Sequence, residues 1–163
     1  LLPLEGEGSV VVQWHVPDTA LKHFVLSSDC RSVERVKLST TVKGKDTPSL
    51  TPIITHSYGL DNTALLNLAH TGFDGLHVVA TCASQFDSYR KSWPHVVIMG
   101  LPDMGCLGTG SNYHLTKAFA QHNYLLNVVA QQQEASHRAV WPFVLVKNDQ
   151  CVMWKKIDIS AKR

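Results

Sequence analysis

His95-Val96-Val97-Ile98-Met99-Gly100-Leu101-Pro102-Asp103, then Met104-Gly105-Cys106-Leu107-Gly108-Thr109-Gly110-Ser111-Asn112, then Tyr113-His114-Leu115-Thr116-Lys117-Ala118-Phe119-Ala120-Gln121, is the stretch that decides the fold. Its opening run, His95 to Met99, is short, apolar and β-branched, the pattern of a strand buried on both faces. In its last part Leu115, Phe119 and Ala118 fall on one face at helical spacing, with Ser111 or Asn112 as the N-cap. A buried strand, a glycine-rich turn and a helix in that order are the repeating unit of an α/β sheet.

The same alternation continues upstream. Leu76-His77-Val78-Val79-Ala80 reads as a second buried strand, and Ser84 to Lys91 as a short helix between the two. Asp61-Asn62-Thr63 supplies a polar cap for a helix over Thr63 to His70, ending near Gly72. Downstream, Tyr124 to Val129 reads as a strand or the next helix, and Gln131 to Arg138 as a polar excursion. Phe143-Val144-Leu145-Val146 reads as a strand that turns at Lys147-Asn148-Asp149 into Cys151-Val152-Met153-Trp154, a hairpin.

The first 60 residues have a different texture. Val10 to Trp14, His23 to Leu26 and Val33 to Val42 read as strands, separated by turn chemistry at Pro17-Asp18 and Gly44-Lys45-Asp46-Thr47-Pro48. The expectation is an α/β fold with a mainly parallel sheet and flanking helices, a β-rich N-terminal portion and a C-terminal hairpin. Residues 1–60 read as a β-rich segment at the end of a preceding unit, and residues 61–163 as an incomplete α/β segment. The start at Leu1-Leu2-Pro3-Leu4 and the stop at Ala161-Lys162-Arg163 lead to the expectation that the chain is a piece of a larger protein.

Composition narrows the function classes. An apolar fraction of 44% with 17% charged residues describes a packed domain and argues against disorder. Fifteen basic against 13 acidic residues leave a net charge of +2, too weak a field to attract a phosphate backbone or an anionic membrane. The basic clusters at Arg31 to Lys45 and Lys155-Lys156 read as solvated strand faces. No apolar run is long enough to span a bilayer, and no signal peptide is present in this piece. The cysteines at 30, 82, 106 and 151 form no CxxC pair, so free thiols in a reducing, intracellular compartment are expected.

The sharpest chemical feature is the run from Asp103 to Asn112. Glycines let backbone amides approach an anion, and the first turn of a helix adds unsatisfied N–H groups and the positive end of its dipole. The candidate ligand residues are Asp103, Gly105, Gly108, Gly110, Ser111, Asn112 and His114, as a phosphate-binding turn. His114 and Lys117 share a helical face beside it and are within reach of a bound phosphate. The spacing G-x-x-G-x-G differs from the dinucleotide fingerprint, and no Gly-Lys-Ser/Thr follows, so a P-loop is excluded. The plainer readings are a tight strand-to-helix connection for the glycines and a solvated face for His114 and Lys117.

Nine histidines, among them 56, 70, 77, 95 and 122, show no ligand spacing, and no protein-held metal site is assigned. A sugar-nucleotide transferase usually holds Mg or Mn against the diphosphate with an acidic pair, and no Asp-x-Asp occurs. Asp103 and Asp149 are the only acids at strand ends in the α/β half, and Asp149 reads as a hairpin-turn residue. Trp141-Pro142 and Trp154 read as core rather than as platforms for a base or sugar ring. No catalytic residue is assigned, because a triad is recognised by geometry and not by order.

Phe86-Asp87-Ser88-Tyr89 through Trp93-Pro94-His95-Val96-Val97, Gly105-Cys106-Leu107-Gly108-Thr109-Gly110, and Trp141-Pro142-Phe143-Val144-Leu145-Val146-Lys147-Asn148-Asp149 together resemble the C-terminal part of the vertebrate growth regulation by estrogen in breast cancer proteins. The resemblance covers most residues from about 60 onward. It implies a fragment of a large, estrogen-responsive nuclear co-regulator, with a nuclear hormone receptor and chromatin-associated proteins as partners. It also implies a C-terminal domain related to glycosyltransferases, with the Gly105 to Gly110 turn in a nucleotide-sugar site served by Mg or Mn. The missing acidic pair is a departure from that pattern and leaves enzymatic activity open. A non-catalytic interaction scaffold of a hormone-receptor co-regulator, and an unrelated nucleotide-binding fold, are the other readings, and fold analogy does not choose among them.

Overall fold

A computed structural model describes residues 2–3, 9–26, 33–36, 51–59, 66, 73, 75–103, 108–133 and 144–150. The strands are β1 (Leu2–Pro3), β2 (Ser9–Val10), β3 (Gln13–His15), β4 (Phe24–Leu26), β5 (Val33–Val36), β6 (Ile53–His56), β7 (His77–Cys82), β8 (Val97–Leu101) and β9 (Leu145–Asn148). Two α-helices, α1 (Phe86–Ser92) and α2 (Gly108–Gln133), join them, with 3-10 turns at Asp18–His23 and Ala83–Gln85. β1 pairs with β2 and β4 with β5, each antiparallel; the remaining five strands form one sheet.

That sheet runs in the order β3-β8-β7-β6-β9. β8, β7, β6 and β9 are mutually parallel, and β3 closes one edge antiparallel to β8 with Trp14 opposite Met99. Alternate residues point to opposite faces. On one face Ile54, Val78, Ala80, Val97, Met99 and Leu101 meet Leu115 and Phe119 of α2, and Trp14 and Phe24 extend the layer. On the other face Val79 and Ile98 meet Phe86, Tyr89, Leu66 and Val96. With both faces covered, the inner strands carry apolar side chains almost continuously, as a parallel sheet requires.

Each element follows from local chemistry. α1 has Asp87 in its first turn and Arg90 and Lys91 in its last, charges that suit the helix dipole. It ends where Pro94 follows Trp93, and the Trp93 amide closes the last turn on the Tyr89 carbonyl at 2.8 Å. Phe86 and Tyr89, three apart, are the face it buries. Gly100 is buried in β8, where a Cβ would stand 2.8 Å from the Phe86 ring and 3.1 Å from Gln13 Oε1.

Several expectations shift. The run Val10 to Trp14 is two strands broken at Val11-Val12, and His23 ends a 3-10 turn rather than opening β4. α2 starts at Gly108, so Ser111 and Asn112 lie inside its first turns and do not cap it. It runs unbroken to Gln133, through the segment read as a strand or a second helix and into the polar excursion, because no proline or glycine interrupts residues 111–133. β6 was not anticipated: Ile53-Ile54-Thr55-His56 is short and half polar, yet every residue of it is buried. Of the helix over Thr63 to His70 only Leu66 is described, and the later part of the strand Val33 to Val42 and the second arm of the C-terminal hairpin lie outside the described residues. The first arm is β9, which pairs in parallel with β6.

Ile98 is fully buried, and Ile98→Ala is expected to cost about 2–5 kcal/mol through lost burial and the cavity left behind. Gly100→Ala is expected to cost about 1–3 kcal/mol by crowding Phe86, although Ala is the better strand former elsewhere. Urea unfolding of both variants checks this pair.

Candidate functional site at the carboxyl edge of the sheet

The strand order places the site. From β6 the chain steps outward to β7 and then β8, and α2 carries it back to β9 on the opposite side of β6. In an open α/β sheet ligands bind beyond the carboxyl ends of the strands where the winding reverses, here between β6 and β9. The residues that follow these two strands are Ser57-Tyr58-Gly59 and Asp149.

Asp149 ties the two strand ends together. Its Oδ2 accepts from Ser57 Oγ at 2.8 Å and from the Tyr58 backbone N–H at 3.2 Å, while its own N–H donates to the His56 carbonyl at 3.0 Å. The Ser57 hydroxyl lies 2.7 Å from the Tyr89 hydroxyl of α1. Gly59 has a φ of +71°, a conformation that favours glycine, and its N–H donates to Gln85 Oε1 at 3.1 Å. On the opposite face His56 Nε2 pairs with Thr116 Oγ1 of α2 at 2.8 Å, and the Tyr113 ring lies over the imidazole with centroids 4.6 Å apart.

The electrostatics favour neutral groups. Burial holds the His56 imidazole down at about 4, so it is neutral near pH 7. Burial, and then the neighbouring Cys82, Tyr89, Asp149 and Tyr113, push the Tyr58 phenol above its ordinary value, and it stays protonated. The first turn of α2 adds N–H groups that an anionic ligand can use. Tyr113, one turn beyond Gly110, links that helix start to His56.

The residues singled out from sequence fall as follows. Asp103 ends the segment after β8 and is exposed; its carboxylate accepts from Ser84 N–H at 3.1 Å and from Ser84 Oγ at 3.2 Å, capping the 3-10 turn Ala83–Gln85. Gly105 lies outside the described residues. Gly108 and Gly110 occupy the first turn of α2, and a Cβ on Gly110 would meet nothing within 4 Å. Ser111 and Asn112 are half-buried, and His114 and Lys117 are exposed, three residues apart on the helix.

The Asp103 carboxylate is held by Ser84, just after β7, and the Asp149 carboxylate by Ser57 and the Tyr58 N–H, just after β6. Among the described residues no three His, Cys, Asp or Glu side chains converge. His56, Ser57 and Tyr58 escaped sequence reading; the signal that marks them is an apolar run, Pro52-Ile53-Ile54, ending at Ser57-Tyr58-Gly59, a strand followed by a glycine turn. Asp149 does occupy a turn, and it also bonds across to the end of β6.

Residues 51–163, which hold β6 to β9, both helices and this edge, match the family described as TET-Associated Glycosyltransferase. The chain belongs to the TET-associated glycosyltransferase family. It is 28% identical to protein GREB1 of Homo sapiens over 156 residues, 92% of this chain and 8% of that protein. It is 30% identical to a GREB1-like protein of Danio rerio over 149 residues, 88% of this chain and 8% of the other. Against a GREB1-like protein of Mus musculus it is 32% identical over 143 residues, 85% of this chain and 8% of that protein. These relatives bear out the resemblance carried by the Phe86 to Val97, Gly105 to Gly110 and Trp141 to Asp149 phrases. The chain spans about 8% of the length of these curated relatives. No solved structure matches it. Among the described residues of this glycosyltransferase-family chain, no helix is long and apolar enough to cross a membrane.

Its histidines carry a pH signature. Burial lowers His56 to about 4, and burial with the Lys147 cation lowers His77 to about 3, both from 6.5. Between about pH 6.5 and 4 the unfolded chain therefore binds protons that the folded one refuses. Stability is expected to be retained above pH 6.5 and to fall on acidification, by up to ~1.4 kcal/mol per pH unit for each histidine. Urea midpoints across that range in the wild type and in His56→Gln, whose slope should be shallower, check the sign.

Proposed function

We propose that this chain is the nucleotide-sugar-binding part of a glycosyltransferase-type domain, with the diphosphate against the first turn of α2 at Gly108, Gly110 and Ser111. The observation that carries the reading is the strand order: it puts the reversal of the winding at the carboxyl ends of β6 and β9, and Tyr113 and Thr116 near the start of α2 contact His56 at the end of β6. Family membership supports a glycosyl donor as the ligand class. His114 and Lys117, exposed on α2, stand ready to contact phosphate oxygens from the solvent side. The chain's own contribution is binding through backbone N–H groups, and no chemical step is assigned to a residue.

In the whole protein we place this domain in an estrogen-responsive nuclear co-regulator, with a nuclear hormone receptor and chromatin-associated proteins as its partners. One observation favours a second role, as an interaction scaffold. The later half of α2 exposes Tyr124, Leu125 and Val129, each about half accessible, where a solvated helix would carry polar groups.

The test is thermal stabilisation by UDP-, GDP- and ADP-hexoses with and without Mg or Mn, in the wild type and in Gly110→Glu. A carboxylate in the first turn favours the helix dipole and meets open space at this position, so the free variant should melt no lower than the wild type. The expected outcome is stabilisation of the wild type by at least one nucleotide sugar, about 2–3 kcal/mol at a hundredfold excess over Kd, and its loss in the variant through charge repulsion. No stabilisation by any member of the panel, in a protein that melts cooperatively, transfers the reading to the scaffold.

A further inference from the structure

Two polar atoms at the carboxyl end of β6 have no partner. Among the described residues, neither the Tyr58 hydroxyl nor His56 Nδ1 meets a hydrogen-bonding group, and both atoms are shielded from solvent. A buried, unpaired donor or acceptor costs about 1–3 kcal/mol, and native proteins keep few of them. Both belong to one contacting pair of rings: His56 and Tyr58 meet edge-on with centroids 6.4 Å apart. Their chemistry is also matched. The phenol is protonated and the imidazole neutral, so each offers a hydrogen bond to an uncharged group and neither offers a charge. Thr116 holds the imidazole from behind through Nε2, leaving Nδ1 as its remaining polar atom.

The cover is visible. The Tyr113 ring lies over His56 with centroids 4.6 Å apart, yet it is 41% exposed and stands one turn from Gly110, beside which there is open space. A ring turned aside from that position exposes His56 and lays an aromatic face against whatever enters, next to the helix start that holds the phosphate.

We infer that His56 and Tyr58 form a subsite for a hydroxyl-bearing sugar ring, with Tyr113 as its movable cover, and that these two side chains determine which ring is accepted. The inference rests on the nucleotide-sugar reading of the same edge and deepens it. The ring is the ribose of the nucleotide or the sugar it carries; both present adjacent hydroxyls that donate and accept.

The test compares Tyr58→Phe with the wild type in the intact protein. Removing an unpaired hydroxyl should leave the melting temperature of the free protein unchanged or raised, since no hydrogen bond is lost. Calorimetric titration with the stabilising nucleotide sugar should show about tenfold weaker binding, the cost of one hydrogen bond in the complex. Inorganic pyrophosphate, which lacks a ring, should bind both proteins equally. The nucleoside diphosphate without its sugar separates the two sources: an equal tenfold loss assigns the subsite to ribose, and no loss assigns it to the transferred sugar. A shift of the His56 Nδ1 resonance on ligand addition, from free to hydrogen-bonded, is the second readout. Unaltered nucleotide-sugar affinity in Tyr58→Phe with a silent His56 signal overturns the subsite and leaves the phosphate reading standing. Absence of binding by every nucleotide sugar in the wild type overturns both.

Discussion

The functional edge depends on β6 being hydrogen-bonded along both of its sides. Ile53 N–H reaches the Leu76 carbonyl at 2.9 Å and Ser57 N–H the Ala80 carbonyl at 3.0 Å, which ties β6 to the strand after it in sequence. On its other side Leu145 N–H reaches Pro52 O at 2.9 Å and Asp149 N–H reaches His56 O at 3.0 Å, which ties it to a strand some ninety residues later. A four-residue strand with two polar members has little reason to form by itself. Between two parallel neighbours every backbone group finds a partner, and the polar side chains are held where their hydrogen bonds are made.

From that placement the rest of the edge follows by alternation. His56 points to the α2 face and meets Thr116 and Tyr113; Ser57 points to the α1 face and meets Tyr89. Asp149, arriving beside them at the end of β9, completes a polar seam across the point where the winding reverses. Among the described residues the seam joins the Asp149 carboxylate to the Ser57 and Tyr89 hydroxyls, with the neutral His56 imidazole on the other face. Positive potential at this edge comes from the start of α2, a helix end whose N–H groups have no partners within the helix. A rim of that kind suits the proposed ligand: anion at the helix, hydroxylated ring among the side chains.

How much of this was legible in the sequence differs by element. β7 and β8 read clearly because a strand buried on both faces must be apolar throughout, and Val78 to Ala80 and Val97 to Met99 are. The helix after the glycines read clearly on its core face, where Leu115 and Phe119 are spaced for it. Its start did not, because Gly108 and Gly110 carry turn propensity that the packing of Leu115 and Phe119 outweighs once the helix is anchored. β6 was missed for the opposite reason, since Thr55 and His56 dilute the apolar signal and their burial depends on neighbours far along the chain. The candidate glycines were found, while the side chains opposite them were not, because nothing in local periodicity says that Tyr58 and Asp149 will meet.

The sequence by itself determined the class of fold, the strands at the centre of the sheet and the family, since these rest on apolar spacing and on phrases such as Trp93-Pro94-His95 that local order records. Only the tertiary structure decided where the edge lies and which residues share it. The strand order β8-β7-β6-β9 is set by how α2 crosses the sheet, and the pairing of Ser57 with Asp149 joins residues 92 positions apart. Contacts of that range are products of packing and register, which no window along the chain contains.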